Sequence, residues 1–495
     1  MAEQPSNSQD GNALGTSPYC AHSPSLKSLI VFIVSVGATF SGFATSIYFP
    51  VISTIAVDLL VSIDLINYSV TAYLVCQAII PFIWGTLSDY KGRRISYLSS
   101  FFIFTSACVG LARTSNYPQI MVLRCLQSIG SASTIVVGTG VLGDITTREE
   151  RGGYMGFFQA GQMLPLALGP ILGGVFADTL GWRSIFWFLA IYSGTFIFFL
   201  SLLLPETLRS LVGNGSIQAR GISKCPLMYF QPQRAVQDSR QNPVQTHPMV
   251  IPDTEQSFSF FNPIRILLGL EITFAIIFVS ICYALWQMTL TAQSTLLKQT
   301  YNLNNTQLGL TYVANGVGCM ISTASTGRLL DIDYKRIKGN YTGPAASFPL
   351  ERARLRTSWL WAGLQIASIL IFGWTLDKNA HISIPIISTL VVGWTTTSIQ
   401  CLVFTFLVDV YPEQAATAAA SLNLIRCLLG GGGVAAVFPL IRVMGIGWTF
   451  TVLIGILLLG LGCLGVQFVY GSRWRRKIIG RATNNHVDEL QRGNR

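Results

Sequence analysis

The sequence predicts an all-α membrane protein: twelve transmembrane helices in two pseudo-symmetric six-helix bundles. Three observations carry this. Hydrophobic residues fill 51% of the 495 positions and charged residues only 11%, whereas a soluble chain carries roughly a quarter charged residues. Apolar runs of about 20 residues, the length that crosses a bilayer, recur along the chain. A polar stretch rich in Pro, Gln, Ser and Arg, from Pro205 to Ile264, divides these runs into two sets of six.

Taken in order, residues 1–28 form a polar Ser-, Asn- and Gln-rich tail. It has no basic segment or small-residue cleavage site near the first apolar run, so that run is expected to be a retained helix and not a signal peptide. The first bundle, 29–204, holds spans at 29–50, 66–87, 95–113, 118–142, 152–177 and 184–204. Residues 205–265 read as a cytosolic linker. The second bundle, 266–470, holds spans at 266–289, 307–330, 357–376, 383–407, 415–440 and 449–470, followed by a basic tail, 471–495.

Net charge is +11, and the bases fall mainly in short loops and ends on one side of this arrangement. Lys91, Arg93, Arg94, Arg148, Arg151, Lys335, Arg336, Lys338, Arg352, Arg354, Arg356 and the C-terminal Arg473 to Lys477 stand against Arg113, Arg183, Lys298, Lys378 and Arg442 opposite. Cytoplasmic loops carry such an excess, so both termini are expected in the cytosol of a multi-pass plasma-membrane protein facing anionic lipid. Nucleic acid is not an expected partner. The sequon at Asn304 then lies outside and is a candidate for glycosylation, while those at Asn214 and Asn340 are cytosolic.

The composition also excludes chemistries. The ten cysteines show no C-x-x-C pairing and most lie inside apolar runs, and the four histidines sit in tails or loops, so neither a metal site nor a histidine relay is expected. No phosphate loop of the G-x-x-x-x-G-K-[ST] type is present, twelve spans do not fit a seven-helix receptor, and no paired-carboxylate constellation suggests an enzyme. No cofactor is expected.

Two repeats support parallel halves. Gly85-Thr-Leu-Ser-Asp89 ends the second span and Gly327-Arg-Leu-Leu-Asp331 the eighth; Gly181-Trp182 precedes the sixth and Gly447-Trp448 the twelfth. Polar residues within apolar spans recur at one-turn spacing, which places each set on one helix face: Tyr73 and Gln77, Arg124 and Gln127, Gln159 and Gln162, Tyr283 with Trp286 and Gln287, Tyr312 and Asn315, Asn423 and Arg426. Interhelical hydrogen bonding explains any single amide as well as a binding site does. An arginine near mid-membrane costs about 3 kcal/mol or more, so Arg124 and Arg426 should face a wet cavity, a partner or a substrate.

Four motifs together resemble the major facilitator superfamily, in its fungal branch of twelve-helix drug:proton antiporters that includes quinidine-resistance and citrate exporters. They are the hairpin Gly85 to Arg94; Arg124-Cys-Leu-Gln127-Ser-Ile-Gly130; Gly169-Pro170-Ile-Leu-Gly173-Gly174; and Asp409-Val-Tyr411-Pro412 followed by Asn423-Leu-Ile-Arg426-Cys427. Tyr90 and Pro165 depart from the family pattern. The resemblance implies a monomeric exporter of small organic compounds driven by protons through alternating access, with a sugar-type facilitator as the alternative within the same architecture. It implies a conformational latch of Gly85, Asp89, Gly92, Arg93 and Asp144, with Asp89 at the start of the eleventh helix and Arg93 paired to Asp144. It places Gly169, Pro170, Gly173 and Gly174 at a moving seam, as hinge or as close packing. The expected substrate site is Arg124, Gln127, Tyr283, Trp286, Gln287, Asn315, Asn423 and Arg426, with the two guanidiniums facing one anion-attracting cavity.

Overall fold

The structure, a computed structural model, describes residues 23–146, 150–213, 269–339, 341, 349–411 and 415–493. Its twelve long helices, numbered here without the short ones, are α1 Pro24–Ser46, α2 Ile63–Lys91, α3 Arg93–Ala112, α4 Tyr117–Ile145, α5 Arg151–Leu180 and α6 Arg183–Leu203, then α7 Leu270–Tyr301, α8 Asn305–Gly339, α9 Ser358–Asp377, α10 Ser383–Val410, α11 Ala415–Met444 and α12 Ile446–Gly493. Among the described residues, eleven segments are apolar and long enough to cross a membrane on composition alone. The helix below that mark is α8, which spends its buried face on Thr311, Asn315, Ser322 and Thr326. Ser322 and Thr326 bond to Ser398 of α10 at 2.9 and 2.8 Å, so this polarity is satisfied against a neighbouring helix and not against lipid.

Local chemistry starts and stops the helices. Ser23 and Asn116 accept backbone N–H bonds at the starts of α1 and α4, each followed by a proline in the first turn, where a missing N–H costs nothing. Between α1 and α2 the chain adds a 3-10 turn, Phe49–Val51, and a short helix, Ile52–Asp58, so the first apolar run ends outside its membrane helix. The seventh span begins four residues later than 266 and runs on to Tyr301, where Asn302 adopts φ +52° and closes the helix. Gly181 turns the chain into α6 with φ +82°, but in the second half Gly445, not Gly447, has the positive φ, +79°. The two Gly-Trp pairs also differ in burial: Trp182 is buried and donates to Asp58, whereas Trp448 is exposed.

Aromatic packing holds the first bundle. Phe40 of α1 sits among Phe101 and Phe104 of α3 and Tyr192 and Phe196 of α6, with ring centroids 4.3 to 5.7 Å apart. The start of the assigned linker belongs to this bundle, because Leu204, Pro205, Glu206, Thr207, Leu208 and Val212 are buried. The rest of the linker, 214–268, lies outside the described residues.

The halves meet along α5 and α8 on one side and α2 and α11 on the other. The bonds that join them lie between the middle of the helices and the end opposite the termini. Thr54 donates to Asn305 at 2.9 Å, and Lys298 reaches both, at 3.1 and 2.8 Å. Asp178 of α5 accepts the Asn305 and Thr306 amides of α8, Phe49 stacks on Tyr312, and Arg442 pairs with Asp64. Deeper in, Thr71 donates to the Gly431 carbonyl and Asn423 to that of Gln77, each at 3.1 Å. On the side of the termini, the pairs Lys27–Glu150, Arg93–Asp144, Arg354–Asp409 and Arg475–Glu351 each stay within one half. Bonds between the halves therefore hold the far side shut.

Candidate functional site

Arg426 lies in the middle of α11, between two bonds that join the halves, Asn423 to the Gln77 carbonyl and Thr71 to that of Gly431. Its Nη1 donates to Gln400 Oε1 of α10 at 3.0 Å and its Nη2 to Asn423 Oδ1, one turn back, at 2.7 Å. The Tyr283 ring of α7 lies under the guanidinium, 4.7 Å from centroid to carbon. Gln287 donates to the Tyr283 hydroxyl at 2.7 Å, and Trp286 meets Tyr283 edge-on and donates to Asn315 of α8 at 2.8 Å. Six expected site residues, Tyr283, Trp286, Gln287, Asn315, Asn423 and Arg426, thus form one connected group. Arg426 remains partly exposed and bonds to neutral oxygens, so its charge is not cancelled by a carboxylate in the described structure.

Arg124 and Gln127 are placed differently, and the expectation of two guanidiniums facing one cavity does not hold in this conformation. Arg124 is 1% exposed. The rings of Tyr48 and Tyr73 cover it at 4.2 and 4.5 Å, and its Nη1 donates to the Ala44 carbonyl and Gln127 Oε1 at 2.9 and 2.7 Å. Ring faces carry negative potential and are worth most to a cation that is desolvated, so two tyrosines seal this charge inside the first bundle. Gln127 completes the enclosure by donating to Cys108 Sγ at 3.3 Å.

At the terminal end of the first bundle, Arg93 donates to Asp89 at 2.5 Å, to Asp144 at 3.0 Å and to Ser88 at 2.7 Å. The expected Arg93–Asp144 pair is present, and Asp89 bonds within its own half. Gly92 has φ +106°, and a Cβ there would collide with the Glu206 carboxylate. That carboxylate accepts the Arg93 and Arg94 amides at 2.8 and 3.3 Å, which caps the start of α3 where the helix dipole favours negative charge. Gly85 meets only Val136 at ordinary contact distance. In α5, Gly169 and Gly173 lie against Ser46 and Ile47 at the end of α1, and Gly174 against the Asn305 backbone of the second half; Pro170 lies beside Gly309 of α8. Asn304 is exposed and caps α8, accepting the Gln307 amide at 2.7 Å, while the Thr306 hydroxyl of the same sequon donates to Asp178.

A family model described as Major Facilitator Superfamily matches residues 34–434. The chain belongs to the major facilitator superfamily. Among its members, Citrate exporter 1 of Aspergillus niger is 34% identical over 486 residues, covering 94% of this chain and 91% of that protein. The Multidrug transporter QDR2 of Candida glabrata is 33% identical over 480 residues, covering 90% and 81%. The crystal structure of the human organic anion transporter MFSD10 shares the fold, with a TM-score of 0.56 at 17% identity over 90% of this chain and 100% of that one. The protein is therefore a multi-pass membrane transporter of the superfamily.

Three positions that hold this geometry are not singled out by the sequence. Gln400 holds Arg426 from a different helix, so no spacing along one helix links them. Glu206 follows a proline at what reads as the start of a linker. Asp178 sits near the outer end of an apolar span, and its partners lie in the other half of the chain.

Proposed function

We propose that this transporter exports small organic anions from the cytosol in exchange for protons. The observation that carries the reading is Arg426: a guanidinium in the middle of a membrane helix, partly exposed at the seam between the halves, oriented by Tyr283, Gln400 and Asn423 and bonded to no carboxylate among the described residues. A carboxylate is its natural complement, through two parallel hydrogen bonds. The kinship with a citrate exporter supports an acid as cargo and the kinship with a multidrug transporter supports outward movement. With the basic loops on the cytosolic side, the bonds that hold the halves together at the opposite end support a loading state shut to the outside. Rocking of the halves about Arg426 then presents the bound anion to the exterior.

Purified protein in liposomes under an imposed pH gradient tests this. Citrate flux should follow the gradient and collapse with a protonophore. Flux of a cationic drug such as quinidine with none of citrate would overturn the anion reading, and citrate flux indifferent to the gradient would overturn proton exchange.

A further inference from the structure

We infer that Gln400 reads the charge state of the substrate: with Arg426 it forms a donor-only fork that accepts an ionised carboxylate and rejects the corresponding amide. This rests on the anion reading and names the residue that sharpens it. A guanidinium has donors and no acceptor. Gln400 therefore must turn Oε1 toward Arg426 Nη1, as the 3.0 Å bond requires, and its Nε2 points elsewhere. That Nε2 and Arg426 Nε are both buried atoms with no hydrogen-bond acceptor among the described residues. Two buried donor groups carrying three N–H bonds thus sit beside one positive charge. Buried donors are normally paired, so an unpaired set next to a partly exposed cation marks the place of an acceptor that arrives with the cargo.

The first bundle holds the same arginine–glutamine pairing in an enclosed setting. Gln127 is pinned in the same way by Arg124, at 2.7 Å, but its Nε2 finds Cys108 Sγ, and two tyrosine rings enclose the arginine. Arg124 also leaves Nε and Nη2 unbonded, but it is 1% exposed under its two rings and its amide is spent on Cys108, whereas the Gln400 amide has no acceptor among the described residues and Arg426 is within reach. Both Gln400 and Arg426 retain exposed surface, so a ligand reaches them by a side-chain shift. An ionised carboxylate offers only acceptors to the fork. An amide of the same shape brings its own N–H groups against the fork and leaves donors unpaired, the situation in which polar sites discriminate most strongly.

The deciding variant is Gln400→Glu. It keeps an oxygen on Arg426, so a residue that merely positioned the guanidinium would be preserved, but it replaces the N–H donors with a second anionic oxygen. Citrate and its neutral triamide are the probes, with binding measured on the purified full-length protein and flux in liposomes. The parent should prefer citrate. Gln400→Glu should raise KM for citrate about tenfold to a hundredfold with less than threefold change for the triamide, and Gln400→Met should lose citrate affinity while remaining folded by thermal melting. Unchanged citrate KM in a folded Gln400→Glu protein overturns the role of Gln400 and leaves the anion reading standing. A parent that binds neither probe, or only the triamide, overturns both.

Discussion

Asp178 offers a quantitative test of how the far side is held shut. It stands near the outer end of α5, yet it caps α8 across the seam, accepting the Thr306 amide and hydroxyl at 2.7 Å each and the Asn305 amide at 3.3 Å. Its carboxylate faces the positive end of α8 and the Lys298 ammonium of α7, which is itself bonded to Thr54 and Asn305; the nearby Arg183 of α6 is paired with Asp58. An N-cap is worth about 1 kcal/mol and a charge at a helix start about 0.3–1 kcal/mol, and the exposure of Asp178 keeps the sum near 1–2 kcal/mol. All of it is specific to the shut state, because opening separates α5 from α8. We therefore predict that Asp178→Ala raises the population open on the far side about 5- to 30-fold, and that Asp178→Asn, which keeps one acceptor oxygen, falls between. Spin labels at the exposed Leu60 and Val443, in the outer parts of the two halves, report the opening as a longer distance. Acidifying the far side should act in the same direction in the parent, since protonation removes the Asp178 charge, and should act more weakly in Asp178→Ala, where the Asp64–Arg442 pair still joins the halves. Equal distance distributions for parent and a folded Asp178→Ala protein would refute the latch.

Three further outcomes follow. Arg93→Ala removes the guanidinium bonded to Asp144, 14% exposed, and leaves Arg209 as its neighbouring cation, whereas Asp89 is 48% exposed; Arg93→Ala should therefore destabilise by about 1–3 kcal/mol and Asp89→Asn by about 1 kcal/mol or less, and a larger melting shift for Asp89→Asn would contradict this. Gly92→Ala forces a side chain into φ +106° and against Glu206, a strain of about 1–3 kcal/mol that should lower the melting temperature by several degrees, and an unchanged melt would count against the Glu206 cap. Glu271 is buried and accepts from the Tyr411 hydroxyl; Glu271→Ala leaves that hydroxyl without its acceptor and should cost about 1–3 kcal/mol of stability, and an unchanged melt would count against this bond.

Much of the fold was legible because membrane spans obey a length rule that depends on composition alone. Boundaries slipped where apolarity does not decide them: α8 continues to Gly339, nine residues past its apolar run, and α7 continues to Tyr301 until Asn302 turns left-handed. The site was legible in part. Arg124 and Arg426 look alike in sequence, each in an apolar run with an amide one turn away. What separates them is tertiary: Tyr48 and Tyr73 converge on Arg124 from elsewhere in the first bundle, while Arg426 has one ring and an amide whose donors are unspent. Gln400 and Asp178 were missed for the same reason, since each acts on a residue of another helix.

The proposed transport depends on one accessible guanidinium, that of Arg426, gripping an anionic cargo. Its most direct test is citrate binding to purified parent, Arg426→Lys and Arg426→Ala proteins, with Arg124→Lys as comparison. Loss of a charge-assisted bidentate contact of about 3 kcal/mol predicts roughly a hundredfold weaker binding for Arg426→Ala, with Arg426→Lys intermediate because an ammonium cannot form the fork. Citrate affinity unchanged in a folded Arg426→Ala protein would contradict the account.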